Sequence, residues 1–300
     1  MNHLYKRTKG SVLFDVFNVL AILLFTLICI YPFWYMIIYA ISDPARASNV
    51  LLWPQGFTMF NFEKVFSLKG IGHAFYISAL RTGIGTVVTV FCCSFLGYLF
   101  SKPEMPLRTF LYRSLVITMY VSGGLIPTYL VYKSYGLVNN FLVYILPSAI
   151  SAYNVILIKT YIEQLPASME ESAMIDGAGY FRVFISIILP LSLPIIATIA
   201  VFASVAQWNS WFDNYIYITN ESLKTLQLML YNLINESQRI ARMLQEGASM
   251  QDVANLAQRT LTPKGVQITV TVFATIPIIC VYPFMQRYFV KGLMVGAVKG

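Results

Sequence analysis

Three groups of side chains in this sequence could do chemistry. Glu170, Glu171 and Asp176 crowd into the stretch PASMEESAMIDGAGYFRVFISIILPLSLP, which runs from Pro166 to Pro194. An acidic segment suits a basic protein partner better than anionic lipid headgroups. The second group sets aromatic faces beside amides: Tyr153 and Asn154 in SAYNV, and Gln207, Trp208, Asn209 and Trp211 in AQWNSW. That pairing fits a ligand with apolar faces and hydroxyl edges. The third is Arg81 alone, in SALRTGIGT. It could pair with a partner subunit, face a cavity, or snorkel to the outer interface. No nucleophile stands with a base, and the two histidines, His3 and His73, leave no metal set. Cys29, Cys92, Cys93 and Cys280 read as small packing residues. No glycine-rich phosphate loop ending in Gly-Lys-Ser or Gly-Lys-Thr is present.

The elements that must position these groups are membrane helices. The 300-residue chain is 57% hydrophobic and only 11% charged, where a soluble domain carries about 25% charged residues. Six apolar runs reach the roughly 20 residues that a spanning helix needs, at about 16–41, 74–100, 110–132, 141–162, 190–212 and 266–286. The expected fold is therefore an all-α polytopic membrane protein with six transmembrane helices. The alternation of a membrane barrel is absent. The formal net charge is +8, without the basic stripe that nucleic acid would require. Lys6, Arg7, Lys9, Lys102, Arg108, Arg113, Lys159, Arg182, Arg287, Lys291 and Lys299 fall on one side of a six-span topology. The positive-inside rule makes that side, and both termini, cytoplasmic. Away from the span ends, Arg81 is the lone ionisable side chain, whereas an ion-coupled carrier keeps acids or histidines near its midplane.

This topology makes 163–189 the largest cytoplasmic loop. Ser168 to Glu171 reads as a capping box that opens a helix, and Gly177 is suited to stop it. A second amphipathic helix follows, and Pro190 breaks it into the next span. The extracytoplasmic segment 213–265 contains an amphipathic helix, either a lid on the spans or a docking surface. Residues 287–300 form a cytoplasmic tail. MYVSGGLIPTYL, at 119–130, joins two glycines to a proline and favours a kink or close packing near a pathway.

The order Glu171-Ser172-Ala173, then Gly177, Ile187 and Leu189-Pro190, resembles the EAA loop of ABC importer permeases, with serine at the second position. GGLIPTYLVYKSYGLVNN, WNSWFDNYIYI and YPFMQRYFVKGLMVGAVKG resemble the carbohydrate-uptake permeases, MalG-type, of the LplC/YtcP-like branch. The resemblance implies a type I (MetI-like) importer half in a bacterial cell membrane. It also implies a second, MalF-type permease, two ABC ATPase subunits that bind the ATP and Mg, and an extracytoplasmic solute-binding protein that delivers an oligosaccharide. No cofactor is expected in this chain and no hydrolysis of its own.

By the same resemblance, Glu170, Glu171, Ala173, Asp176 and Gly177 dock on an ATPase subunit. Lys291, Gly292 and Lys299 belong to a tail that inserts between the two ATPases, against the alternative of a frayed terminus. Tyr153, Asn154, Trp208 and Asn209 line the sugar path, with an interfacial aromatic belt the competing reading of the Trp208 cluster. Other cargo, such as a peptide or lipoprotein precursor, and an ion-coupled carrier are the alternative functions.

Overall fold

A computed structural model of the chain describes residues 9–44, 46, 51–245 and 264–297. Lys6, Arg7, Lys299 and positions 246–263 of the amphipathic segment lie outside the described residues. The chain divides into two compact units, Met1–Lys69 with Leu233–Phe273 and Gly70–Asn232 with Ala274–Gly300.

In the first unit, α1 (Lys9–Ala40) is apolar on every side. Its large side chains from Leu13 to Trp34 are exposed, as expected of a helix that meets lipid or another subunit. Only its end is buried, where Ile38 and Tyr39 pack with Ile268. The chain then turns into α2 (Phe60–Ser67). There the Asn61 amide donates to the carbonyls of Ala40 (3.1 Å) and Ser42 (3.3 Å), closing the turn.

The second unit is built on α3 (Ile71–Ser101). Ala74, Ser78, Arg81, Gly85, Thr89, Cys93, Gly97 and Phe100 are buried at helical spacing. The other face presents Tyr76, Ile84, Val87 and Phe91 outward. The inward face gathers glycines and hydroxyl side chains among its larger residues, as in helix packing in a bilayer, where lipid is as apolar as leucine and close backbone approach drives association.

The runs expected as the third and fourth spans, already punctuated by Pro127 and Pro147, are interrupted. The 110–132 run is divided into α4 (Arg108–Ile117) and α5 (Leu125–Ser134). The gap holds Gly123 and Gly124, the latter at φ 81°. The 141–162 run begins as a short 3-10 turn, Phe141–Tyr144, passes Pro147 and becomes α6 (Ala152–Ile162). Apolar composition reports burial in a membrane and says nothing of continuity, and Gly and Pro break these runs. Next come α7 (Ala167–Ile175), α8 (Tyr180–Val183), a π turn at Phe184–Ile188 and α9 (Leu189–Leu191). The helix α10 (Leu193–Asn209) follows.

The pair Tyr180–Leu191 and Leu193–Asn209 is bent by 84° at Ser192, just past Pro190 as expected. By length and composition, three helices among the described residues could cross a bilayer: Gly10–Ala40, Ile71–Ser101 and Lys264–Val281; the bent pair makes a fourth. Two further helices follow α10, α11 (Phe212–Tyr217) and α12 (Leu226–Gln245). The helix α12 includes the first part of the expected amphipathic segment. The last helix, α13, runs from Lys264 to Ala297. It therefore carries Lys291 and Gly292 on helical backbone, where the sequence suggested a tail from 287.

Candidate functional site

The polar residues of α3 open onto a cavity of about 530 Å³. Tyr153 and Asn154 line it from the first turn of α6. Ser151 caps that turn by accepting from the Asn154 N–H, at 3.5 Å. Tyr153 is 53% exposed and presents its ring, whereas Asn154 is 7% exposed. Thr89, Ser148, Ser151 and Ser210 add hydroxyls, and Phe202 adds an aromatic face. The wall thus carries both halves of the chemistry expected of it, an aromatic surface and hydrogen-bonding edges.

Arg81 does not snorkel. Its side chain is 2% exposed and every arm is occupied. Nε and Nη2 donate to Gln207 Oε1 (3.2 and 3.1 Å). Nη1 donates to the Ser210 carbonyl (3.3 Å) and to Asp213 Oδ1 (3.2 Å). Nη2 also reaches Asp213 Oδ2 at 2.5 Å. The guanidinium lies over the Tyr144 ring, 4.3 Å from its centroid. Gln207 in turn donates to the Tyr144 carbonyl (3.0 Å) and Ser148 Oγ (2.6 Å). A Cβ on Gly85 would sit 2.6 Å from the Gln207 amide nitrogen, so only glycine lets this side chain cross α3.

Sequence reasoning named Arg81 and Gln207 but missed their partner, because Asp213 counted as the first residue of an outer loop. A signal was present: Gln207, Ser210 and Asp213 recur at helical spacing opposite a lone intramembrane arginine.

Trp208 and Asn209, expected beside Tyr153 and Asn154, are not brought to this cavity. Trp208 is 6% exposed. Its indole N–H donates to the Ala274 carbonyl at 2.8 Å, and its ring meets Phe75 edge-on at 5.7 Å. Asn209 is exposed. Neighbours on a helix point about 100° apart, so Gln207 takes the cavity side and Trp208 the packed side.

At the other end of α3 lies the elbow. The capping box does not form: Pro166 occupies the N-cap position, no side chain caps the helix, and Ser168 is already inside the first turn. The Ser172 hydroxyl donates back to the Ser168 carbonyl instead, at 2.7 Å. Gly177 does end α7, at φ +84°. Its N–H donates to the Met174 carbonyl, and Ala178 N–H donates to the Ala173 carbonyl (both 3.0 Å), the backbone arrangement of a glycine C-terminal cap.

The two glutamates differ. Glu170 is drawn inward, where it pairs with Lys102 and accepts from the Tyr98 hydroxyl at 2.7 Å. Glu171 and Asp176 face outward, with exposed Ile175 between them. Ala173 and Met174 pack on the core formed by Tyr98, Phe184, Ile158 and Val183. A cleft of about 380 Å³ beside this elbow is bounded by Lys102, Glu104, Glu163, Glu170, Glu171 and Tyr180.

No family model matches the chain. It is 37% identical to protein LplC of Bacillus subtilis over 300 residues, 99% of each chain. It is 36% identical to the polygalacturonan/rhamnogalacturonan transport system permease protein YtcP of the same organism, covering 96% of this chain and 99% of that one. Among solved structures, that of a bacterial ABC transporter involved in the import of the acidic polysaccharide alginate matches with a TM-score of 0.81 at 26% identity. The match covers 94% of this chain and 98% of that one. With the elbow pattern, the polar cavity and these full-length relatives, the chain belongs to the carbohydrate ABC importer permeases of the LplC/YtcP branch.

Proposed function

We propose that this permease carries an oligosaccharide through the cavity beside α3 and couples that movement to ATP hydrolysis through α7. The cargo class follows the relatives, whose names include polygalacturonan, rhamnogalacturonan and the acidic polysaccharide alginate. The observation that carries the coupling reading is the split between Glu170 and Glu171. One acid fastens α7 to Lys102 and Tyr98 at the end of α3. The next presents its charge to a partner alongside Asp176 and Ile175. A push on α7 would thus reach α3, whose other end forms the cavity wall. Alternating access by rigid movement of packed helices needs such a connection.

In this reading the chain crosses the membrane six times, with the interrupted runs at 110–132 and 141–162 acting as spans. Broken helices are tolerated at membrane depth where they are buried in protein or line a wet cavity. The elbow and both termini are cytoplasmic. A second, MalF-type permease completes the path, a solute-binding protein delivers the sugar, and two ATPase subunits bind ATP and Mg.

The test is Glu171→Lys, which reverses an exposed charge and leaves the Glu170 fastening in place. The variant permease should reach the membrane but copurify poorly with its ATPase, and sugar-stimulated ATP hydrolysis should fall on the order of tenfold or more, as for a broken interfacial ion pair. Normal copurification with normal uptake would contradict the coupling role.

A further inference from the structure

Among the described residues, Arg81 and Asp213 are the only charged ones lining the cavity; its other polar lining groups are hydroxyls and amides. The guanidinium grips Asp213 through two nitrogens and two carboxylate oxygens. This fork-on-fork geometry is the one in which arginine takes any carboxylate. We propose that Arg81 is the carboxylate-recognising residue of the sugar path, with Asp213 holding the seat that the carboxylate of an acidic saccharide takes during passage. The proposal rests on the reading of this cavity as the sugar path.

Two features make the exchange feasible. Asp213 has partners of its own: Oδ1 accepts from Ser210 Oγ at 2.9 Å and from the Asn214 N–H at 2.8 Å. It therefore stays hydrogen-bonded when it releases the guanidinium. Arg81, for its part, remains fixed by Gln207, the Ser210 carbonyl and the Tyr144 ring, so its charge does not move when the acid does. Asp213 is also the more accessible partner, at 24% exposure. A buried cation whose compensating acid can swing aside attracts anions selectively, since the low-dielectric wall screens it little.

The test reads the local potential with a cysteine reporter. Tyr153→Cys is introduced with Cys29, Cys92, Cys93 and Cys280 replaced by alanine, and the whole importer is purified in detergent, open to reagent from both faces. Methanethiosulfonates with a sulfonate or a trimethylammonium tail then compete for the reporter, and the ratio of their rates is measured. Each ratio comes from one preparation, so expression level and stability cancel.

Asp213→Asn should raise the anion-to-cation ratio on the order of tenfold, and Arg81→Gln should lower it by a similar factor. The double variant, whose pair is neutral but still able to hydrogen-bond, should stay close to the parent. Opposite shifts show that each charge is felt separately in the path. In proteoliposomes, Arg81→Gln should also lower uptake of an acidic oligosaccharide on the order of tenfold relative to a neutral one of equal length, which loss of a purely structural pair would not do. Ratios unchanged in both single variants, or shifted the same way, would overturn the proposal while leaving the sugar path intact. If Asp213→Asn yields no assembled complex, the fall expected in Arg81→Gln decides alone. Labelling by neither reagent would instead overturn the sugar path itself, and this proposal with it.

Discussion

Two positions on α3, Arg81 in its body and Lys102 just past its last turn, each pair a cation with an acid from a distant part of the sequence, and the two pairs are built differently. At the cavity Arg81 is 2% exposed and Asp213 24%. Gln207, the Ser210 carbonyl and the Tyr144 ring complete the setting. At the elbow end Lys102 is 17% exposed and Glu170 12%, with the Tyr98 hydroxyl and ring as neighbours. Arg81 sits in the body of the helix, nearly buried, and only the edge that lines the cavity can meet water. Lys102 follows the last helical residue, Ser101, and its flexible stem can turn outward. The same interaction type is therefore part of a wall at one position and a fastening at the other.

Breaking each pair sharpens that contrast. Asp213→Ala leaves the buried guanidinium without its counter-charge. It should destabilise the solubilised complex by about 3 kcal/mol, the low end of the cost of removing one partner from a buried pair, because Asp213 is partly exposed. A large drop in thermal midpoint checks it; no drop would mean that water already reaches Arg81. Glu170→Gln removes only the charge of the elbow pair and keeps an acceptor for Tyr98. Its expected cost is about 1 kcal/mol or less, a small shift of the same midpoint. Equal shifts in the two variants would erase the distinction between wall and fastening.

The two regions also differ in how far their residues could be read in advance. The elbow was largely legible, because its signals are local: an acidic turn, a glycine that can adopt φ +84° and a proline before the bend. Only its start was misread, since Pro166 fixes the N-cap and leaves Ser168 inside the helix. The cavity was half legible. Tyr153 and Asn154 advertise themselves by chemistry, an aromatic beside an amide in an apolar run. Their partner across the cavity depends on which face of α10 turns inward, and there composition misleads. Trp208 looks like a sugar platform but spends its N–H on the Ala274 carbonyl, while the plainer Gln207 holds the wall. Asp213 was hidden because a span boundary drawn from hydropathy placed it outside.

The measurement that bears most directly on the account is sugar uptake by the Tyr153→Ala and Asn154→Ala variants in proteoliposomes holding the complete importer. A labelled oligosaccharide is delivered by the binding protein, and basal ATP hydrolysis is followed in the same vesicles. Loss of an aromatic surface or a hydrogen-bonding amide from the path should lower uptake on the order of tenfold, with basal hydrolysis and assembly unchanged. Wild-type uptake in both variants across sugar concentrations would contradict it, and would place the path outside this cavity.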